Sequence, residues 1–282
     1  MSAQAARAPT PEQPPLLREK VGPIAVLTLN RPAQRNSLSE ELIARLHAAL
    51  SEIADHRGVR AVVVAASGPA FSAGHDLKEL SARRGDADRG RAYFADIMTA
   101  CSAMMQAIVQ LPKPVVAAVQ GIATAAGCQL VASCDLAVAS TAARFATPGV
   151  DIGLFCSTPM VALSRNVSRK AAMEMLLTGE MVEAEDAHRI GLINKVVAPE
   201  ILESETMILA NKIASKPRQT LKTGKEAFYR QLEMPLAEAY AYASQVMTEN
   251  MLEAEACEGI GAFLEKREPR WPDPLSPTGG EG

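Results

Sequence analysis

Residues 113–151, KPVVAAVQGIATAAGCQLVASCDLAVASTAARFATPGVD, constrain the fold of this chain more than any other segment. Val115–Val119 is a run of β-branched and small residues behind two prolines, which predicts a short buried strand. Residues 125–127 (AAG) then open an apolar stretch that predicts a helix. The first amides of a helix lack partners and lie at the positive end of its dipole, so this junction suits a negatively charged oxygen. Alternatively, the small residues only let strand and helix pack closely.

A second junction of the same kind lies upstream. Residues 60–66 (RAVVVAA) predict another buried strand, residues 67–69 (SGP) a turn, and residues 71–77 read FSAGHDL. Two such junctions can direct their backbone amides at one carbonyl oxygen.

The remaining periodicity predicts further strands and helices around these junctions. Residues 24–30 predict a strand, and Ser37 with Glu40 has the spacing of a capping box before a helix near residues 40–54. A long helix is expected over residues 91–111, behind a charged loop at residues 85–90. Beyond Pro199 the pattern is helical.

Short motifs along about residues 20–270 point to a known family. They are LNRP (29–32) with NSL (36–38), FSAGHDL (71–77), KPVVAAVQG (113–121), GCQL (127–130), CDLAVAS (134–140), MEMLLTGE (173–180), AHRIGLINKVV (187–197) and EGIGAFLEKR (258–267). In this order and spacing they resemble the enoyl-CoA hydratase/isomerase family, also called the crotonase superfamily. Each motif alone is weak, but the set is specific.

The resemblance implies an α/β fold, a crotonase-like ββα spiral core with a C-terminal helical trimerisation region. We expect a disordered extension at residues 1–17, the acyl-CoA-binding core at 18–200, the helical oligomerisation region at 201–268 and a flexible tail at 269–282. The family's usual assembly is a homotrimer or a dimer of trimers. Its ligand is an acyl-CoA thioester whose carbonyl oxygen is held by two backbone amides, which by position in the motifs belong to His75 and Ala126.

The chain departs from the family at the acid/base positions. Family hydratases use two glutamates, and the matching positions here hold Gln129 and Gly149. Neither an amide nor a glycine exchanges protons near neutral pH, and losing one such group costs about 10²- to 10⁴-fold in rate. Efficient conventional hydration is therefore doubtful. The activity of the family's single-glutamate isomerases is disfavoured too, because the position that matches their catalytic base is occupied here by Gly149.

Nearby residues offer replacements. If its segment is extended, Asp151 points to the same face as Gly149, about 6 to 7 Å away, and its carboxylate can serve as the acid or base; otherwise it is a turn or hydrogen-bonding residue. Gln129 can orient a water or a second carbonyl. The His75 side chain either lines the pocket or acts as an acid or base. Restoring both acids, Gln129→Glu and Gly149→Glu, is expected to raise hydratase activity if the scaffold still presents water correctly.

Other residues are expected to contact substrate or CoA. The loop GLFCSTP contains Cys156 and Ser157, and some family members place a functional aspartate at the position of Ser157; a serine nucleophile requires a base and a cysteine a stabilised thiolate. The predicted substrate- and CoA-binding residues are Arg31, Arg35, Ala73, Lys78, Phe155, Ser157, Phe263 and Lys266. The basic members of this set are candidate phosphate contacts, although exposed cations are often merely solvated.

Composition limits the remaining possibilities. A net charge of −3 and a pI of about 5.9 argue against nucleic-acid binding. The five cysteines and four histidines show no zinc-ligand spacing, so we expect no metal and no cofactor other than the coenzyme A of the substrate. No apolar run long enough for a membrane span and no secretory signal are evident. We expect a cytoplasmic protein, or a mitochondrial-matrix one if the N-terminus is a transit peptide.

Three functions remain open. The first is an acyl-CoA enzyme of the enoyl-CoA hydratase/isomerase type, in fatty-acid or related metabolism, with altered proton-transfer residues. The second is a non-catalytic acyl-CoA-binding or regulatory protein. The third is another thioester reaction, such as hydrolysis or decarboxylation.

Overall fold

A computed structural model describes residues 13–272 of the 282-residue chain. Its strands are β1 (Leu16–Val21), β2 (Ile24–Leu29), β3 (Ala61–Ala66), β4 (Ala70–Ser72), β5 (Val115–Val119), β6 (Ile122–Thr124), β7 (Leu136–Ser140), β8 (Arg144–Ala146), β9 (Val182–Glu183) and β10 (Lys195–Val197). Its α-helices are α1 (Glu40–Asp55), α2 (Leu77–Ala82), α3 (Arg91–Gln110), α4 (Ala126–Ser133), α5 (Pro159–Leu163), α6 (Arg169–Thr178), α7 (Ala184–Arg189), α8 (Leu202–Ala214), α9 (Arg218–Gln231), α10 (Leu236–Leu252) and α11 (Ala254–Glu265).

From β3 to β8, consecutive strands alternate between two sheets. The larger sheet has the order β1-β2-β3-β5-β7-β10 and the smaller β4-β6-β8-β9. The pairs β3–β4, β5–β6 and β7–β8 each place their first strand in the large sheet and their second in the small one. Strands β4, β6 and β8 pair in parallel, so their carboxyl ends meet at one edge of the small sheet.

Both faces of the large sheet are covered, as a mostly parallel sheet requires. Side chains of β3 and β5 alternate between the main core and a second cluster in which α8 packs on the opposite face. The strands therefore read as nearly continuous apolar runs, which is why β3 and β5 were predictable from sequence.

Two local predictions need correction. The first strand begins at Leu16, so Leu16 and Leu17 belong to the sheet rather than to a disordered extension, and residues 1–12 lie outside the described part. The N-cap of α1 is Ser39, whose side chain accepts from the Leu42 amide. Ser37 instead donates its hydroxyl hydrogen to Asp76, at 3.0 Å.

Helix α3 is long and apolar enough, by length and composition alone, to cross a membrane, a weak criterion that core helices of soluble proteins also meet. It packs against α1 and α4. Its buried side chains, Ile97, Cys101, Met104, Met105 and Ile108, belong to the main core.

A buried ion pair joins α9 to the core. Lys225 lies 2.7 Å from Asp135 and also donates to the carbonyls of Ile108 and Lys113. The Tyr229 hydroxyl donates to the other Asp135 oxygen, at 2.9 Å. The start of the predicted tail is also packed, since the Trp271 indole donates to the Ser215 carbonyl; residues 273–282 lie outside the described part.

Candidate active site

The small sheet brings the two predicted amides to one place. Strands β4 and β6 are neighbours, with Ser72 opposite Ala123. His75 follows the end of β4 by three residues and Ala126 follows the end of β6 by two. Because parallel strands end at the same edge, both residues lie at that edge.

The backbone of His75 is oriented by a bridge to Leu38. The Leu38 amide donates to the Gly74 carbonyl, and the Asp76 amide donates to the Leu38 carbonyl. In this parallel pattern the N–H and C=O of the middle residue point away from the partner strand. The His75 amide is therefore left to face the other side, toward α4.

Ala126 supplies the second amide as the first residue of α4. An amide at this position has no acceptor within its own helix. The two segments touch, because a Cβ placed on Gly74 would lie 2.9 Å from the Ala125 Cβ and 3.2 Å from the Ala126 nitrogen. Gly74 itself has φ +86°, so glycine suits this position both in backbone conformation and in space.

The start of α4 also needs small residues for packing. A Cβ on Gly127 would lie 2.2 Å from the Ser72 carbonyl oxygen. Ala125 has φ +50° and ψ −119°, a conformation that is strained for any residue with a side chain. The small residues therefore serve close packing as well as exposing an amide.

Buried polar atoms without protein partners occur in residues that follow the strands ending at this edge. Both ring nitrogens of His75, the Oε1 of Gln129 and the hydroxyl of Thr147 are buried and make no hydrogen bond within the described residues. Thr147 follows β8, whose Ala146 carbonyl accepts from the Ala125 amide. Since an unpaired buried polar group costs about 1–3 kcal/mol, these atoms mark a place where water or a ligand completes the hydrogen bonding.

Desolvation lowers the pKa of the His75 imidazole from its ordinary value of 6.5. The ring is therefore neutral at pH 7 and has a lone pair to accept a proton.

Thr147 was not among the residues predicted from sequence. Its position directly before the Pro148–Gly149 pair was the signal that could have identified it.

The Gly149 position cannot hold a longer side chain in this conformation. A Cβ there would lie 2.6 Å from the Leu154 carbonyl oxygen and 2.9 Å from the Cys156 sulfur. Residues 154–156 thus fill the space beside Gly149. Burial raises the pKa of Cys156, and the Gly149 backbone lowers it only in part, so this thiol stays protonated and is a poor nucleophile.

The prediction that an extended segment points Asp151 to the same face as Gly149 is wrong. Residues Pro148–Ile152 form a 3-10 helix, in which residues two apart point in different directions. Asp151 is exposed, and its carboxylate oxygens lie 3.0 and 3.2 Å from where a Cβ on Gly179 would be. Its carboxylate therefore lies against the C-terminus of α6 rather than beside Gly149.

Arg31 and Asp76 support the His75 turn. Arg31 lies 3.0 Å from Asp76 and also donates to the carbonyl and hydroxyl of Ser37. Asp76 caps α2 by accepting from the Lys78 amide. Burial alone would raise the pKa of Asp76, but the hydrogen bonds from Ser37, Arg31 and Lys78 lower it below its usual value. Arg31 is thus engaged within the protein.

Arg35, Ala73 and Lys78 lie near the His75 turn with exposed side chains. The Ala73 amide donates to the Arg35 carbonyl at 3.0 Å, which holds the Arg35 segment two residues from His75. Lys78 is the second residue of α2. The backbone of Arg35 and of Lys78 therefore lies beside the His75 turn, and both side chains are exposed.

The remaining predicted contacts lie on exposed surfaces. Phe155 is exposed and precedes Ser157, whose hydroxyl donates to the Phe155 carbonyl. Phe263 is 82% exposed on α11, and Lys266 ends that helix. Helix α11 packs on α9 and α10, which places Phe263 and Lys266 in the C-terminal helical region. Within residues 13–272, no cluster of His, Cys, Asp and Glu side chains could hold a metal ion.

The fold and site define a member of the enoyl-CoA hydratase/isomerase family. The model of that family matches residues 19–274, and the chain belongs to it. The crotonase-like α/β core and the helical C-terminal region predicted from sequence are both confirmed. Proteins of this family act on acyl-CoA substrates and typically oligomerise.

Several named proteins and solved structures are similar to this chain. It is 50% identical, over 87% of its length and 80% of the relative's, to the mouse enoyl-CoA hydratase domain-containing protein 3, mitochondrial. It is 36% identical to a probable enoyl-CoA hydratase of Rhizobium meliloti, over 89% of this chain and 95% of that one. The crystal structure of an enoyl-CoA hydratase from Mycobacterium smegmatis superimposes with a TM-score of 0.87 at 53% identity, covering 92% of this chain and 99% of that one. The human domain-containing protein 3 gives the same TM-score at 47% identity, with 91% and 100% covered.

Proposed function

We propose that this protein is an acyl-CoA enzyme of the enoyl-CoA hydratase/isomerase type whose proton-transfer groups are altered. The observation that carries the proposal is the pair of amides, on His75 and Ala126, that two adjacent parallel strands deliver to one edge. Membership of a family that acts on acyl-CoA supports it. Coenzyme A enters only as part of the substrate.

The amides act on the thioester carbonyl. Loss of a proton from the α-carbon, or addition of a nucleophile at the β-carbon, moves an electron pair onto the carbonyl oxygen and gives an enolate. Two backbone donors held before the reaction stabilise that charge, at about 3 to 4 kcal/mol for each donor. Since the donors are backbone groups, Ala126 serves as well as glycine.

His75 is the group in this site that can exchange a proton. Its neutral imidazole has both nitrogens free of protein partners, so it can take a proton from the α-carbon or from a water. The Gln129 amide oxygen and the Thr147 hydroxyl, which also lack partners, can hold that water. Neither replaces a carboxylate, so water addition is slow compared with a two-glutamate hydratase.

Mass spectrometry of acyl-CoAs incubated in D₂O tests the proposal. Saturated acyl-CoAs should exchange their α-hydrogens, and 2-enoyl-CoAs should slowly gain one water. Ala126→Pro should abolish both changes because it removes the N–H and places a ring in the site, while proline is tolerated at the first position of a helix. Ala126→Gly keeps the amide and is the matched control.

A non-catalytic acyl-CoA-binding protein is the second candidate, because backbone and sulfur atoms fill the space beside Gly149. An unchanged panel together with tight binding that Ala126→Pro abolishes would establish this candidate and reject the enzyme. Failure to bind any acyl-CoA would reject both. Release of free CoA or of carbon dioxide would identify hydrolysis or decarboxylation instead.

We also propose that the functional assembly is a homotrimer or a dimer of trimers. Phe263, Leu236, Leu252, Leu264 and Tyr240 are between 70% and 82% exposed on α10 and α11, and apolar surface of this extent favours association. In such an assembly Phe263 and Lys266 would complete the CoA site of a neighbouring copy.

We propose that this protein, like its vertebrate relatives, is mitochondrial. Their names describe mitochondrial proteins, which supports the mitochondrial alternative over the cytoplasmic location expected from the sequence. A fluorescent protein fused behind residues 1–17 would test this, since retention in the cytoplasm would contradict import.

A further inference from the structure

Ser72, the last residue of β4, carries a buried hydroxyl beside the turn that contains His75. The hydroxyl donates to the Asn36 carbonyl at 2.8 Å and accepts from the Gly74 amide at 3.3 Å. Ser72 is fully buried, so both of these bonds are shielded from water. The side chain therefore ties the His75 turn to the backbone of Asn36.

Gly74 is restrained on both of its backbone groups. Its amide is bound to Ser72, and its carbonyl accepts from the Leu38 amide at 2.7 Å. In a trans peptide the N–H points opposite to the carbonyl of the same unit, so the restraints on Gly74 set the direction of the His75 N–H. The bond to the carbonyl also polarises this peptide and makes its N–H a stronger donor.

Asn36 gives Ser72 a fixed point of attachment. It is fully buried, with φ +51°. Its side-chain amide donates to the carbonyls of Ser67 and Ala70, both at 2.8 Å, and its Oδ1 accepts from the Arg31 amide at 2.7 Å. Since Ser67 and Ala70 flank the turn between β3 and β4, these bonds hold the Asn36 carbonyl in place relative to β4.

Ser72 also touches the helix that supplies the second amide. A Cβ on Gly127, the second residue of α4, would lie 2.2 Å from the Ser72 carbonyl oxygen and 2.8 Å from the Ser72 Cβ. Gly127 directly follows Ala126. One buried serine thus borders both of the backbone segments that carry the amides.

We propose that Ser72 is a positioning residue, which sets the direction of the His75 amide through its hydrogen bonds to Asn36 and Gly74. Because a glycine has more backbone freedom than any other residue, the hydroxyl supplies a restraint that Gly74 itself lacks. The inference rests on the proposed function, since it takes the His75 amide to be a donor to the thioester carbonyl.

Ser140 offers a matched control in the large sheet. It is the fully buried last residue of β7. Its hydroxyl donates to the Gln120 carbonyl at 2.9 Å and accepts from the amide of Ala142, two residues further on, at 3.2 Å. Ser72→Ala and Ser140→Ala therefore remove the same pair of buried hydrogen bonds, and we expect similar, small losses of thermal stability. Only Ser72 is bonded to the His75 turn.

Infrared difference spectra of bound butanoyl-CoA, isotopically labelled at the carbonyl carbon, test the inference. Donors aimed at the carbonyl oxygen lower its stretching frequency, and this signal does not depend on any proton-transfer group. The wild type and Ser140→Ala should show the full shift, whereas Ser72→Ala should lose much of it. Exchange of the α-hydrogens in D₂O should slow about tenfold in Ser72→Ala, a part of the roughly 10²- to 10³-fold cost of losing a whole donor. Its affinity for butanoyl-CoA should change little, because the CoA part of the ligand is still held.

A carbonyl shift that is the same in Ser72→Ala and in the wild type would overturn the positioning role while the proposed function stands. Equal losses of the shift in both serine variants would overturn it too, because they would reflect general destabilisation. A shift that depends on Ser72 without any hydrogen exchange in the wild type would support the positioning role and reject the enzyme. Bound butanoyl-CoA with an unshifted carbonyl in the wild type, or no binding at all, would overturn both.

Discussion

The sequence resemblance predicts that Gly149 occupies the position of a hydratase glutamate, and its surroundings leave no space for a longer side chain in this conformation. Because a Cβ would lie 2.6 Å from a backbone oxygen of Leu154, Gly149→Ala should lower the free energy of unfolding by about 1–3 kcal/mol, as overpacking does. Gly149→Glu should lower it further and add no hydratase activity. Urea unfolding and a hydration assay measure the two effects.

Gly85→Ala is the control for this prediction, since nothing lies within 4 Å of a Cβ at that position and exposed substitutions of this kind change stability by less than about 0.5 kcal/mol. A stable Gly149→Glu protein with restored hydration would show that residues 154–156 move aside. Of the two substitutions that were expected to raise hydratase activity, only Gln129→Glu therefore retains this expectation, because glutamate is close in shape to the native glutamine.

His75 should make the protein sensitive to acid. Burial lowers its folded-state pKa below 6.5, so the unfolded chain takes up this proton first as the pH falls. Stability is therefore lost as the pH falls from 6.5 to the folded pKa, by up to about 1.4 kcal/mol per pH unit for one proton. His75→Phe should remove this slope, and urea unfolding at several pH values would detect it. If the free energy of unfolding of the wild type and of His75→Phe changed equally with pH, His75 would not be the source of the acid sensitivity.

The positions of His75 and Ala126 at one edge of the small sheet were predictable from sequence, whereas the surroundings of Gly149, Asp151 and Thr147 were not. His75 and Ala126 lie in short motifs whose strand, turn and helix signals are local. The Gly149 environment depends on the path of residues 154–156, and the Asp151 orientation on a 3-10 turn that composition does not announce. Thr147 lies at this edge of the sheet because β8, which it follows, pairs with β6.

At the scale of elements, buried strands were the easiest to predict. Val115–Val119 matches its predicted bounds, and β2 and β3 differ from theirs by one residue, because apolar runs covered on both faces leave a strong signal. The 20-residue α3 likewise matches its prediction within one residue. The attachment of α9 escaped prediction because it joins Lys225 to Asp135, 90 residues away.

That attachment should be a major contribution to stability. Lys225→Met removes the cation from a buried pair and leaves the Asp135 carboxylate with only the Tyr229 hydroxyl and the Val115 amide. Breaking such a pair costs about 3–5 kcal/mol. Thermal unfolding should show the loss, and proteolysis should begin in α9.

Lys222→Met provides the comparison because Lys222 is on the same helix but exposed. Its substitution should change the free energy of unfolding by less than about 0.5 kcal/mol. Similar losses for the two variants would mean that helix propensity, not the buried ion pair, holds α9 in place.

The whole molecule presents an apolar C-terminal surface that one chain does not cover. Phe263 and Leu264 are 82% and 73% exposed on α11, and neither contributes to the cores formed by the sheets. Proteins of this family typically oligomerise. Phe263→Glu should therefore shift the sedimentation coefficient toward the monomer, because a buried charge in the interface lacks a partner.

A substitution of Lys266 tests CoA binding separately from oligomerisation. If it contacts CoA phosphates in a neighbouring copy, Lys266→Ala should keep the oligomer and weaken CoA binding by roughly tenfold, since a hydrogen bond to a charged group contributes about 1.5–3 kcal/mol. The loss should shrink at high salt, which screens exposed charges. Lys212→Ala, an exposed lysine of α8, should leave affinity unchanged. Equal CoA affinity in wild type, Lys266→Ala and the monomeric Phe263→Glu protein would instead place the whole CoA site within one chain.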